Sequence, residues 1–259
     1  MIGTWSRVGA FVVAAGVARA AYGALRRRDD PRWRRENHAG RSVDLYAGPA
    51  TALGAAVGIA SAAKWGSTRQ EAGGGPAAFA VLAAGACGAY DDVKGDHRRG
   101  FRAHLGALRE GEVTSGTVKL LGIGAAGLVA GALLKERPVD KVLAGVVIAG
   151  TAHFVNLVDV APGRAGLTVL GLAAPGLLRG TLAAAPMAAA PMGAAIALLA
   201  EDLGERTMLG DTGAHALGAA VGSAIAAGNG RFGLAVHAAA LIAATAYGDQ
   251  VSTLARSPM

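Results

Sequence analysis

The chain has 259 residues, of which 53% are hydrophobic, 17% are charged and 5% are aromatic, and its mean hydropathy is +0.39. Soluble domains typically contain about 25% charged residues, so this composition excludes a disordered tail and indicates a chain that largely avoids water. The 40 glycines favour close helix packing in a bilayer. A single cysteine, Cys87, excludes an intramolecular disulfide. The net charge of +7 fits either nucleic-acid binding or basic loops beside a membrane.

Apolar stretches that approach the length of a spanning helix, about 20 residues, occur nine times between the charged residues. They are roughly 8–25, 45–63, 72–90, 113–134, 142–158, 165–178, 180–200, 212–230 and 232–248. Arg19 and Lys119 interrupt two of them, and Pro175 lies in the short sixth stretch. Arg179, between two glycines, predicts a tight turn after it. The sequence therefore predicts an all-α, polytopic membrane bundle of about nine transmembrane helices, forming one domain over residues 1–259.

Lys and Arg in the connections indicate which side of the bundle faces the cytoplasm. One set of connections carries 15 of these residues, and the N-terminus with the opposite set carries 8. The positive-inside rule then predicts an external N-terminus, a cytoplasmic C-terminus and a location in the cell inner membrane. The cytoplasmic loops would be 26–44, 91–112, 156–165, 201–211 and 249–259. The alternative for the first segment is a cleavable signal peptide, because Arg7 precedes an apolar run and Ala-Arg-Ala-Ala at 18–21 resembles a cleavage region.

Three acidic motifs lie at the predicted cytoplasmic ends of spans. Asp91 and Asp92 end the third span, Asn156 and Asp159 stand in Asn-Leu-Val-Asp at the end of the fifth, and Asp211 opens the eighth. Only Lys and Arg set the topology, so the agreement among the acids is independent of it. Because acids at a membrane edge are costly, they indicate a functional site.

Each motif also has a simpler explanation. An Asp pair after a helix is commonly a solvated loop, Asn and Asp often end helices, and Gly-Asp-Thr-Gly commonly caps the start of one. Lys119 has the alternative of extending its amine to the membrane interface. Taken together, these residues suit a metal–pyrophosphate site, because Mg²⁺ prefers oxygen ligands and uses one or two carboxylates with substrate phosphates.

The sequence resembles the polyprenyl-phosphate sugar-1-phosphate transferases, the family that includes the phospho-MurNAc-pentapeptide translocase and the polyprenyl-phosphate GlcNAc-1-phosphate transferases. The resemblance runs in chain order over about residues 30 to 255. It rests on Asp-Asp at 91–92, Thr-Ser-Gly-Thr-Val-Lys at 114–119, Asn-Leu-Val-Asp at 156–159 and Met-Leu-Gly-Asp-Thr-Gly-Ala-His-Ala-Leu-Gly at 208–218.

The resemblance implies transfer of a sugar-1-phosphate from a UDP-sugar to a polyprenyl phosphate, giving polyprenyl-pyrophosphoryl-sugar and UMP, with Mg²⁺ or Mn²⁺. Asp211 would be the metal ligand. Asp91 and Asp92 would be the catalytic acids that assist attack by the lipid phosphate or organise the metal. Lys119, Asn156 and Asp159 would bind the substrates. The partners implied are the UDP-sugar, the polyprenyl phosphate and the bilayer, and a homodimer is compatible with the sequence.

Two departures from the family pattern bear on function. Pro162 stands where the family often has a second acid, three residues after Asp159, and a histidine-rich loop of bacterial members has no counterpart. The alternative hypothesis is therefore a catalytically silent relative that binds a lipid-linked intermediate or scaffolds envelope enzymes. A transporter would place more charges inside the spans, and nucleic-acid binding would interleave aromatic with basic residues, so both are disfavoured.

Overall fold

The computed structural model describes residues 2–37, 39–62, 73–95, 106–107, 109–112, 114–178 and 184–257, with side chains from Trp5 onwards. Ten helices occur within these residues. They are α1 (Ile2–Arg26), α2 (Ala47–Ala62), α3 (Gly74–Lys94), α4 (Ser115–Leu134), α5 (Pro138–Val158), α6 (Arg164–Leu178), α7 (Ala184–Leu203), α8 (Gly210–Gly228), α9 (Arg231–Ala246) and α10 (Gly248–Arg256). A helix overlaps each of the nine predicted segments, and the all-α prediction is confirmed.

Four of the described helices, α1, α4, α5 and α7, are long and apolar enough to cross a membrane. A fifth span results if α9 and α10, which meet at an angle of 81°, are counted as one broken span. Helices α2 and α6 are apolar but shorter. The chain is thus an all-α protein with four to five candidate membrane spans, while nine spans and the orientation of the termini stay predictions.

Small residues set the distances between the helices, as the composition predicts. Gly193 of α7 packs against the backbone carbonyl of Phe11 in α1, and Gly218 of α8 packs against Ala152 in α5. A methyl group on either glycine would overlap the neighbouring backbone. The absence of a side chain therefore lets these helices touch through their main chains, which gives dispersion contact without large apolar residues.

Helix α1 is an integral part of this packing. It buries Ala10, Ala14, Ala18 and Tyr22, one on each successive turn, and contacts α2 and α7. The charge at Arg19, which interrupts the predicted first span, is compensated by Glu201 near the end of α7, at 2.9 Å. A retained first helix stays the prediction, with a cleavable signal peptide as its alternative.

Two features of the loops differ from the sequence prediction. The segment 26–44 contains a 3₁₀ turn (Pro31–Trp33) and a short antiparallel ribbon of β1 (Arg34–Glu36) and β2 (Ser42–Asp44), in which Arg35 pairs with Val43. The segment 249–259, predicted as a tail, is largely occupied by α10. Both features are short, and neither contains an apolar run long enough to predict it from the sequence.

The five predicted cytoplasmic loops meet at one end of the bundle. Asp44 receives a hydrogen bond from the backbone of Met208 at 2.9 Å, and the backbone of Gly163 donates to Asp202 at 2.8 Å. Ser252 donates to the carbonyl of Leu157 at 2.8 Å, which attaches α10 to the same end. The side chain of Arg35 donates to the backbone carbonyl of Asp92. The described parts of these loops therefore share one side, whichever side of a membrane that is.

Several sequence predictions fall outside the described residues. They are the turn predicted at Arg179 and the part of the predicted basic loop 91–112 that contains Arg98, Arg99 and Arg102.

Candidate functional site

An ammonium group lies between two carboxylates at the end of the bundle where the predicted loops meet. Lys119, in the second turn of α4, places its Nζ 2.9 Å from Oδ2 of Asp91, in the last turn of α3. The same Nζ donates to Oδ2 of Asp211, in the first turn of α8. All three side chains are about one-fifth exposed, so the charges are only partly screened by water. Lys119 is therefore held in an ion-pair network and does not simply extend to the membrane interface.

Asn156 completes this group from a fourth helix. Its Nδ2 donates to the second carboxylate oxygen of Asp211, Oδ1, at 2.6 Å. Asp211 thus has one oxygen on a lysine and the other on an amide, and its orientation is fixed from two sides. Four side chains from four helices thus form a polar cluster: Asp91 of α3, Lys119 of α4, Asn156 of α5 and Asp211 of α8.

Helix α4 begins where it does because Thr114 caps it. The Thr114 hydroxyl accepts a hydrogen bond of 3.2 Å from the backbone N–H of Thr117 and lies 2.9 Å from the Thr117 hydroxyl. Such a cap satisfies a donor that has no partner within the helix. The Thr-Ser-Gly-Thr-Val-Lys motif thereby places Lys119 at a fixed point, one turn inside α4.

Asp92 faces the backbone of α8 and not the polar cluster. Its Oδ1 accepts from the N–H of Asp211 at 3.0 Å, and its Oδ2 accepts from the N–H and the hydroxyl of Thr212 at 2.9 and 2.5 Å. An acid at a helix N-terminus satisfies free N–H groups and is favoured by the helix dipole. Burial and the nearby Asp211 carboxylate nevertheless raise the pKa of Asp92 to about 6. Asp92 therefore acts as a cap, supplied by a neighbouring helix, for the helix that carries Asp211.

Two glycines make room for this arrangement. Gly88, one turn before Asp92 in α3, lies directly against the backbone carbonyl of Asp211. Gly210 has a φ of +59°, a region that favours glycine, and a methyl group there would lie 3.0 Å from Oδ1 of Asp92. The close approach of α3 and α8 is therefore possible only with small residues at these positions. Sequence reasoning missed the capping role of Asp92 and both glycines, although the Gly before Asp211 was the available signal.

Asp159 lies beside the polar cluster without joining it. It follows the last residue of α5, and its backbone N–H donates to the carbonyl of Asn156 at 3.2 Å. The side chain is half-buried. Burial, together with the carboxylates of Asp202, Asp211 and Asp92, raises the pKa of Asp159 well above its ordinary value. The predicted site residues thus divide into the four of the polar cluster, the cap Asp92 and the neighbouring acid Asp159.

His215 is a buried residue that contacts the backbone of Asp211, a member of the polar cluster. Its side chain is 1% exposed, and its Nδ1 lies 2.7 Å from the backbone carbonyl of Asp211, one turn earlier in α8. A buried ring in this position is expected of a packing residue.

The oxygen ligands of the polar cluster suit only one kind of magnesium site, in which substrate phosphates and water supply most of the ligands. Among the described residues, no group of three or more His, Cys, Asp or Glu side chains is arranged to hold a metal ion. However, one cation, the Lys119 ammonium, already contacts both Asp91 and Asp211. The two carboxylates therefore suit an ion that takes one or two protein oxygens and completes its shell with substrate phosphates and water, and do not suit an all-protein cage.

No protein-family model matches the chain, and no curated protein is significantly similar to it.

Proposed function

We propose that this protein is a membrane enzyme that transfers a sugar-1-phosphate from a UDP-sugar to a polyprenyl phosphate, giving polyprenyl-pyrophosphoryl-sugar and UMP for cell-envelope glycan synthesis. The observation that carries the proposal is the polar cluster. Four residues chosen from separate motifs, Asp91, Lys119, Asn156 and Asp211, are joined by direct hydrogen bonds at one end of a helical bundle. If these residues were only a solvated loop, a helix end and a lysine that extends to the membrane interface, their side chains would have no reason to contact one another.

The reaction exchanges one phosphorus–oxygen bond for another. An oxygen of the polyprenyl phosphate attacks the β-phosphorus of the UDP-sugar, and the bond from that phosphorus to the bridging oxygen breaks, so that the bridging oxygen leaves with UMP. No water and no redox partner is needed. Phosphoryl transfer of this kind depends mainly on positioning the reactants and stabilising their charge.

The residues of the cluster supply both requirements. Lys119 is a fixed cation on which phosphate oxygens can bind when its contacts with Asp91 and Asp211 are exchanged for contacts with the substrate. Asn156 holds Asp211 in one orientation, and Asp92 fixes the backbone of the α8 first turn. The Asp91 carboxylate would act as the base that takes the proton from the acceptor phosphate. Asp159 would line the donor or the metal side of the site.

A Mg²⁺ ion, or Mn²⁺ in its place, would bind at Asp211 with Asp91 nearby and would neutralise charge on the pyrophosphate. The half-buried position of the cluster at the end of the bundle suits the acceptor, because its phosphate stays hydrated while its isoprenoid chain stays in lipid. In the predicted topology this end faces the cytoplasm, where UDP-sugars are found.

The proposal is tested by measuring UMP release. Purified protein in detergent is given polyprenyl phosphate, Mg²⁺ and a panel of UDP-sugars, with a known enzyme of the resembled family as a positive control. We expect release with at least one donor, its loss in Asp211→Asn, and a severe reduction in Asp91→Asn. Asp249→Asn, an exposed aspartate of α10, is the matched control and retains activity. No release with any donor, while the known enzyme works, would contradict the proposal.

A catalytically silent binding protein is the second candidate. It is favoured by the contacts of Asp211, both of whose carboxylate oxygens are bonded to protein groups, and by Pro162 at the position of the family's second acid. The two candidates differ in one measurement. A silent protein is stabilised against heat by a UDP-sugar or by the lipid pyrophosphoryl-sugar, since these bind the folded state, but releases no UMP.

A further inference from the structure

A cleft lined by arginines lies at the surface of the bundle, and none of its lining residues belongs to the polar cluster. It has a volume of about 350 Å³, lies between α1 and the end of α7, and is lined by Arg19, Tyr22, Gly23, Arg26, Arg27 and Glu201. Three arginines and one acid line the cleft, and Asp44 pairs with Arg26 at 3.6 Å, so the charge at the cleft stays positive. Glu201 is further neutralised by Arg206, which donates to its other carboxylate oxygen.

The charges are positioned at the end of an apolar strip. Trp5, Val8 and Val12 of α1 are 69%, 50% and 59% exposed. At 100° per residue, these positions lie on the same face of α1 as Arg19, Gly23 and Arg26. One face of the helix therefore presents apolar side chains over its first half and arginines over its last two turns. This is the distribution that a membrane lipid requires, with acyl chains along the apolar part and a headgroup at the cations.

Two groups in the cleft have bonding capacity left over. Arg27 is exposed, and no acidic side chain of the described residues lies within 4 Å of it. Tyr22 is 3% exposed, and by distance and angle its hydroxyl has no hydrogen-bond partner among the described residues, although Thr207 is nearby. Arg26 lies over the Tyr22 ring, 5.4 Å from its centroid, which holds the guanidinium at the cleft. Gly23 leaves the space between the arginines open, since no atom lies within 4 Å of where its side chain would begin.

From this geometry we infer that the cleft binds the phosphate headgroup of an anionic phospholipid, whose acyl chains lie along the outer face of α1. Guanidinium groups suit phosphate because their fork of N–H donors matches its oxygens. The site is separate from the proposed transfer chemistry, and its lipid is a bound component of the bilayer and not a reactant.

The inference is tested by the thermal stability of delipidated protein in detergent. Dioleoyl phosphatidylglycerol is compared with dioleoyl phosphatidylcholine, which has the same chains and no net charge, and with inorganic phosphate. We expect phosphatidylglycerol to raise the unfolding temperature in a saturable way, with little effect from the other two. Equal effects of the two lipids would contradict a headgroup site, and a full effect of inorganic phosphate would show a site for soluble anions instead.

Variants locate the effect. Arg27→Gln alone and Arg26→Gln with Arg27→Gln should weaken phosphatidylglycerol binding, the double variant by about ten-fold or more. Arg28→Gln removes the same charge from the next residue, which does not line the cleft, and should bind as the wild type does. If the double variant fails to fold because Arg26 also pairs with Asp44, Arg27→Gln decides the question. Unchanged binding in Arg27→Gln, or an equal loss in Arg28→Gln, would overturn the inference.

Discussion

Asp92 accepts a hydrogen bond from the backbone N–H of Asp211, at 3.0 Å from Oδ1, and so holds the residue that we propose as the metal ligand. Its neighbour Asp91 points about 100° away around the helix, toward Lys119. Two adjacent aspartates of one motif therefore have different tasks. Asp91 contacts the cation of the polar cluster, and Asp92 positions the backbone on which the cluster is built.

This division predicts different effects for the two aspartates. Asp92→Ala should lower the free energy of unfolding by about 1 kcal/mol, because the first turn of α8 loses its cap. Asp91→Ala should leave the free energy of unfolding nearly unchanged. It should reduce UMP release at least as strongly as Asp92→Ala does. Thermal unfolding in detergent and the UMP assay, run on the same preparations, separate the two effects. Equal losses of stability in both variants would contradict the assignment of Asp92 as the cap.

Lys119 can be tested against a second lysine from the same helix region. Lys119→Met leaves Asp91 and Asp211 without their shared cation, so we expect UMP release to fall by about a hundredfold or more, as for other lost charge-stabilising donors. The two free carboxylates should also bind Mg²⁺ more tightly, which would appear as a larger rise in unfolding temperature on adding Mg²⁺ than in the wild type. Lys135→Met is the matched control, because Lys135 follows the last residue of α4 and bonds instead to the carbonyl of Asn229, at 2.9 Å.

A lack of extra Mg²⁺ stabilisation in Lys119→Met would show that the ammonium does not occupy a cation position. Loss of activity in Lys135→Met to the same degree would show that any lysine replacement damages the bundle. Either result would remove the specific role of Lys119.

The helices and the cluster were predictable from the sequence because their signals are local and chemical. Gaps between charges mark helices α1 to α9, and acids at the ends of apolar runs mark residues that contact one another. The contact between Asp92 and the α8 backbone was not predictable, since capping between helices depends on how α3 and α8 lie in space. The ribbon at 34–44 was missed because its two strands are only three residues long, although they pair residues close in sequence, such as Arg35 with Val43. Helix α10 contacts the bundle through residues far apart in sequence, as in the hydrogen bond from Ser252 to Leu157.

Gly88 provides a test of the close contact between α3 and α8. In Gly88→Ala the new methyl group would overlap the backbone carbonyl of Asp211, so one helix must shift. Overpacking of this kind typically costs roughly 1–3 kcal/mol, and here it would also displace Asp211 from Lys119. Gly75→Ala in the same helix is the matched control, because no atom lies within 4 Å of its added methyl. We expect lower stability and lower UMP release only in Gly88→Ala, and equal behaviour of the two variants would contradict the packing.

The predicted orientation can be tested with single cysteines. In a Cys87→Ser background, one cysteine replaces Asp29, exposed after α1 at the end that carries the polar cluster, and another replaces Glu136, exposed between α4 and α5 at the opposite end. If the basic loops face the cytoplasm, a membrane-impermeant maleimide added to intact cells labels Glu136→Cys alone. Asp29→Cys should react only after the membrane is permeabilised. Labelling of Asp29→Cys in intact cells would show the opposite orientation, with the polar cluster on the side without UDP-sugars. That result would contradict the proposed reaction as well.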